Sequence, residues 1–229
     1  VWLDGKWEGD DYWMWVQGKM RETVVFGDDV SLTRKVSAKL GETRFFIKDV
    51  VGNMGYEPSL FMILYHINGG FPAIDENAVL VSPTKAVAPR DKEAEIEQDK
   101  YYWFQAPTRG FKERVYYHDM ACDEKGFVYA ALVNKGFKDG QGFGFYVKYR
   151  KDQLPRFVEW KMNCTGTYVV GMEPSNCLVG GRDKERARGT LQFLEPGEVR
   201  EINLEIGVLC CLKEIEEFEA KVEKIKASK

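Results

Sequence analysis

The sequence predicts an all-β protein, an antiparallel β-sandwich with one short C-terminal helix. Three observations carry this. Runs of about 4 to 10 residues rich in β-branched and aromatic side chains recur along the chain, separated by Gly-, Asp- and Pro-containing turns. Only the last segment is a long stretch with apolar residues at helical spacing. The chain has 229 residues, 44% of them hydrophobic, which suffices for a sizeable core; sandwiches of this length are commonly one domain, so 1–229 reads as a single domain.

The elements follow in order. Arg21 to Phe26 and Val30 to Val36 flank Gly27-Asp28-Asp29, a hairpin with a short loop. Phe45 to Val51 follows Leu40-Gly41 and ends at Gly52-Asn53. Leu60 to Asn68 is apolar and aromatic and reads as one buried strand. Lys85 to Asp99 is charged, with Pro89-Arg90-Asp91 ahead of Glu93-Ala94-Glu95-Ile96-Glu97, and predicts a long surface loop holding one helical turn. Val115 to Met120, Phe127 to Asn134, Phe143 to Tyr149, Val158 to Met162, Tyr168 to Met172, Thr190 to Phe193 and Val199 to Val208 complete the strands. Asp123-Glu124-Lys125-Gly126, Lys138-Asp139-Gly140 and Pro196-Gly197 supply turns. In Leu212 to Lys226, residues Leu212, Ile215, Phe218, Val222 and Ile225 fall three or four apart. Its glutamates lie mostly early and its lysines late, as the helix dipole favours. Such a helix either closes an edge of the sandwich or binds a partner.

Composition excludes several functions. Lys+Arg is 33 against Asp+Glu 36, a net charge of −3, so no basic excess exists to displace counterions from a nucleic acid. No apolar run reaches bilayer-spanning length, and no basic amphipathic segment marks a membrane surface. Five cysteines without a Cys-x-x-Cys pair read as reduced core thiols of a cytoplasmic protein, not as metal ligands. The chain opens on Val1 inside what reads as ordered structure, and the expectation is that further residues precede it.

Imidazole chemistry must use one of two histidines. His66 ends an apolar strand before Gly69-Gly70, where a histidine either satisfies a core hydrogen bond or presents its ring at a sheet rim. Strand alternation puts Asn68 on its side. His118 and Asp119 are neighbours in a strand and point to opposite faces, so only one of them can face a cleft. Glu173 ends the apolar run Tyr168-Val169-Val170-Gly171-Met172 just before Pro174; a carboxylate there either caps the strand or, among aromatics, acts as a tuned base. Trp160 is either a core residue or a stacking platform for a sugar. Asp75 and Glu76 read as loop acids. No phosphate loop, G-x-S-x-G elbow or H-E-x-x-H helix is present.

Gly55-Tyr56-Glu57-Pro58 precedes Leu64-Tyr65-His66-Ile67-Asn68-Gly69-Gly70-Phe71-Pro72. Far downstream come Glu159-Trp160-Lys161-Met162, then Tyr168 to Pro174, then Gly189-Thr190 through Leu194-Glu195-Pro196-Gly197-Glu198. This order resembles a poorly characterised branch of the aldose 1-epimerase (galactose mutarotase) superfamily, from about Trp15 to Leu209. The resemblance implies a galactose mutarotase-like supersandwich with an open cleft for a small carbohydrate, and anomer interconversion without metal or cofactor. A glutamate takes the proton of the anomeric hydroxyl, a histidine protonates the ring oxygen, the ring opens, and it recloses on the other face. His66 matches the acid and Glu173 the base; they are expected to face one cleft from opposite sides with room for a pyranose between. Asn68, His118, Asp119, Trp160 and Lys161 are the expected substrate contacts, with His118 or Asp119 in place of an aspartate that touches sugar hydroxyls elsewhere in the superfamily. Two departures stand out. The superfamily's usual N-terminal histidine and arginine have no match, which fits a preceding segment or another chain completing the N-terminal sheet. Ile-Asn-Gly-Gly after His66 replaces an aromatic-Asn-Leu pattern, which leaves the sugar open. The alternative reading is a non-catalytic carbohydrate-binding protein on the same scaffold.

Overall fold

The computed structural model describes residues 1–228. Among these are fifteen strands: β1 (Trp2–Glu8), β2 (Asp11–Thr23), β3 (Asp29–Lys39), β4 (Arg44–Asn53), β5 (Ser59–Phe61), β6 (Ile67–Gly69), β7 (Ala78–Val81), β8 (Thr84–Pro89), β9 (Arg114–Met120), β10 (Phe127–Asn134), β11 (Phe143–Arg150), β12 (Arg156–Cys164), β13 (Thr167–Ser175), β14 (Gln192–Leu194) and β15 (Val199–Leu209). The long helix is Leu212–Ala227. The predicted all-β class and C-terminal helix are both present. No described helix is long and apolar enough to cross a membrane.

The chain divides into two compact units. The first comprises Val1–Ile63 and Val179–Ile206. Its strands run in the order β1–β2–β3–β4–β15, with a separate β5–β14 ribbon. The predicted hairpin exists, but Thr23 pairs with Asp29, so Val24, Val25 and Phe26 lie in the loop, and Phe26 is fully exposed. These three residues were expected in strand. The backbone contact from Val24 N to Asp28 O closes the turn around them instead. Asn53 organises the far end of β4: its Nδ2 donates to the carbonyls of Glu57 and Leu194 at 2.8 and 2.9 Å.

The second unit comprises Leu64–Leu178 and the chain from Gly207 onward. One of its layers is β11–β10–β7, antiparallel throughout. The helix packs on it: Ile215, Phe218, Val222 and Ile225 join Tyr129, Ala131, Val133 and Leu209 in one buried cluster. Each such apolar side chain contributes about 1.5–3 kcal/mol on burial. The helix therefore closes this core. The other layer is a five-stranded antiparallel sheet in the order β6–β13–β12–β9–β8. The expected strand Leu60 to Asn68 is split, with β5 in the first unit and β6 in the second. The charged stretch read as a loop is partly strand, because β8 pairs with β9. Its helical turn is Lys92–Glu95, capped by the Asp91 carboxylate accepting from the amides of Glu93 and Ala94.

Candidate active site

Strand β13 pairs with the edge strand β6 through Met172↔Ile67 and Gly171↔Asn68. A bridge between Leu64 and Ser175 continues the same register, which sets His66 opposite Glu173. On the other side, β12 aligns Val158 with Glu173 and Trp160 with Gly171. The next strand, β9, aligns Tyr117 with Val158. The two-residue period then places His66, Asn68, Gly171, Glu173, Trp160, Tyr117 and Asp119 on one face of the sheet.

On this face His66 Nε2 approaches Glu173 Oε1 to 2.9 Å. The approach is not an aligned hydrogen bond, and Oε1 has no hydrogen-bond partner among the described residues. The histidine side chain is 45% exposed and the carboxylate beneath it 3%. Burial, and then the nearby charge of Glu113, push the Glu173 carboxyl up to about 7. The His66 and Trp160 rings meet edge-on with centroids 5.3 Å apart. Gly171 makes this cluster possible: a Cβ there would lie 2.6 Å from Glu173 Oε1 and 3.0 Å from His66 Cε1. The expected pyranose-wide gap between His66 and Glu173 is absent. They are cross-strand neighbours, and directly opposed side chains on one face touch.

Two expected contacts do not reach this face. His118 is buried on the opposite side, its Nδ1 2.9 Å from Thr84 Oγ1 and its Nε2 3.3 Å from Glu159 Oε2. Lys161 is also internal: its ammonium donates to the carbonyls of Lys100, Tyr101 and Trp103. Burial lowers its pKa. Both alternate with site-face residues by one position, and the two-residue period excludes them. Asp119 remains exposed and pairs with Lys151 Nζ at 3.3 Å. Asn68 is exposed beside Gly171. Asp75 ties its loop to the end of β10, its carboxylate accepting from Asn134 Nδ2 and the Asn77 amide.

Sequence reasoning missed Glu113. Its Oε2 accepts the Trp160 indole N–H at 2.9 Å, and its Oε1 accepts from Arg90 at 2.8 Å. These two donors hold its pKa below the usual glutamate value. Glu113 therefore keeps a charge at the rim and fixes the tryptophan. The signal available was parity, because Glu113, one residue ahead of β9, continues the odd-numbered series of Tyr117 and Asp119. Among the described residues no group of His, Cys, Asp and Glu is arranged to hold a metal ion.

The model of a family described as a domain of unknown function, DUF4432, matches residues 1–208. No curated protein matches significantly. Among solved structures, a putative aldose 1-epimerase from Klebsiella pneumoniae superimposes with a TM-score of 0.93 at 25% identity, over 99% of this chain and 58% of that one. A galactose mutarotase-like protein from Clostridium acetobutylicum gives 0.60 at 13% identity, over 91% of this chain and 66% of that one. One from Lactobacillus casei gives 0.54 at 11%, over 90% and 73%. The fold is galactose mutarotase-like, and the chain spans about three-fifths of the Klebsiella protein it resembles.

Proposed function

This chain belongs to the DUF4432 family, and we propose that it interconverts the anomers of a sugar by acid–base ring opening. The observation that carries this reading is the buried, unpartnered Glu173 Oε1 in contact with a half-exposed histidine. A buried acceptor without a donor is costly, and a ligand hydroxyl would satisfy it. The anomeric hydroxyl and the ring oxygen hang on one carbon. An acid and a base that touch in the free protein need only part by a hydrogen-bond length for each to take one of these oxygens. Glu173, poised near neutrality, accepts the hydroxyl proton; His66 delivers a proton to the ring oxygen; the ring opens, the carbonyl rotates and attack on the other face reverses both transfers. The apolar face of the pyranose packs on Trp160, and Asn68 and Asp119 take hydroxyls. No step requires a cofactor.

The test is anomer exchange followed by polarimetry or NMR on a panel of aldoses, with the parent and two variants. Glu173→Gln keeps the shape and removes the base; His66→Asn removes the acid. Each is expected to slow exchange by about a hundredfold or more with sugar binding largely kept. If both variants equilibrate anomers at the parent rate, the enzymatic reading fails and a carbohydrate-binding role on the same face replaces it.

A further inference from the structure

A second feature of the same sheet face bears on which sugar is used. Arg156 opens β12 and aligns with Ser175 of β13. It is two residues from Val158, the cross-strand neighbour of Glu173, and so shares the face of the acid–base pair. Strand rise and strand spacing put its Cα about 8 Å from that of Glu173. The side chain is partly buried, yet it has no hydrogen bond, ion pair or ring contact among the described residues. Of the other arginines of this unit, Arg109 is exposed, and the rest are engaged: Arg90 with Asp91 and Glu113, Arg114 with Glu97, Arg150 with Asp152.

Arg156 lines a hollow of about 280 Å³ with Ala86, Ala88, Tyr117, Asp119 and Leu178. The two alanines of β8 leave the space open. The Asp119 charge at the rim is met by Lys151, so the guanidinium is the uncompensated charge of the hollow. A guanidinium fork matches the paired oxygens of a phosphoryl or carboxylate group.

We propose that the hollow at Arg156 receives an anionic substituent, phosphoryl or carboxylate, of a sugar whose anomeric end lies at His66 and Glu173. This rests on the sugar reading above and names its substrate class. A group several bonds from the anomeric carbon spans the separation, and a neutral aldose leaves the guanidinium unmatched.

The experiment measures binding of glucose, glucose 6-phosphate and glucuronate by calorimetry or ligand-observed NMR, and their anomer exchange. Proteins are the parent, Arg156→Gln, Arg156→Lys and Glu173→Gln. The parent is expected to prefer one or both anionic sugars over glucose by at least about tenfold, and the one bound tighter identifies the substituent. Arg156→Gln is expected to reduce that ratio about tenfold, and Arg156→Lys, which keeps charge but not the fork, to restore part of it. Equal binding of neutral and anionic sugars by the parent, or a ratio unchanged in Arg156→Gln, overturns the proposal. The two readings separate cleanly. If Glu173→Gln keeps the preference while the parent exchanges no anomer, the catalytic reading falls and the anion site stands. If the parent exchanges neutral aldoses with no preference, the anion site falls alone.

Discussion

Replacing Glu173 by Gln gives a thermodynamic test independent of any substrate. The carboxyl sits near 7 in the folded protein against 4.5 when exposed. A raised carboxyl holds its proton more tightly when folded, so its stabilising contribution is fully present below about pH 4.5 and is lost as pH rises to about 7. A difference near 2.5 units corresponds to about 3 kcal/mol at 1.36 kcal/mol per unit. Glutamine has nearly the same shape and does not titrate. Denaturant unfolding of parent and variant between about pH 4.5 and 8.5, followed by tryptophan fluorescence, reads the difference directly. The variant is expected to gain about 2–3 kcal/mol on the parent across that window, nearly all of it below about pH 7.5. A constant difference refutes the reasoning. It would mean that His66, protonated, compensates the carboxylate, and that Glu173 is an ordinary ion-pair partner and not a poised base.

Other perturbations separate the parts of the site. Glu113→Gln removes a charge that raises Glu173, so the pH midpoint of anomer exchange is expected to move down, toward the usual glutamate value; an unmoved midpoint contradicts that coupling. Gly171→Ala would force Glu173 Oε1 and His66 Cε1 away from the new methyl, and exchange is expected to fall by about tenfold or more with the overall fold kept, as judged by circular dichroism. Phe218→Ala opens the cluster beneath the helix, where its ring meets those of Tyr129 and Tyr146, and is expected to cost about 3–5 kcal/mol in denaturant unfolding. A cost below about 1 kcal/mol would show that the helix is not part of that core.

The central strands were legible because their apolar runs are bounded by turns that interrupt hydrogen bonding. Phe127 to Asn134 was read to the residue, and β9, β11 and β13 to within a few. Trp2–Glu8 and all of β2 ahead of Arg21 escaped. None of their side chains is fully buried, so neither strand shows the alternation that burial imposes on one face. Val24-Val25-Phe26 misled in the opposite sense, since β-branched and aromatic residues carry strand propensity even where a turn places them in solvent. At the site, parity identified the shared side of His66 and Asn68 and the opposition of His118 to Asp119. It could not tell which of those two faced outward, because that depends on which face the core covers. The contact between His66 and Glu173 was out of reach, since register between distant strands is set by tertiary pairing and leaves no local trace.

The division of the chain has a consequence for biosynthesis. The first unit is begun by residues up to Ile63 but needs Val179–Ile206 to supply β14 and β15. The second needs the helix that follows Gly207. Neither can therefore close its core while the middle of the chain is emerging from a ribosome. At ordinary elongation rates the early strands wait on the order of ten seconds or more for their partners. During that wait the edge of β4 that later pairs with β15 faces solvent or a chaperone. Slowing translation over the codons for Val179–Ile206 is expected to lower the yield of native protein more than slowing it over those for Val1–Ile63.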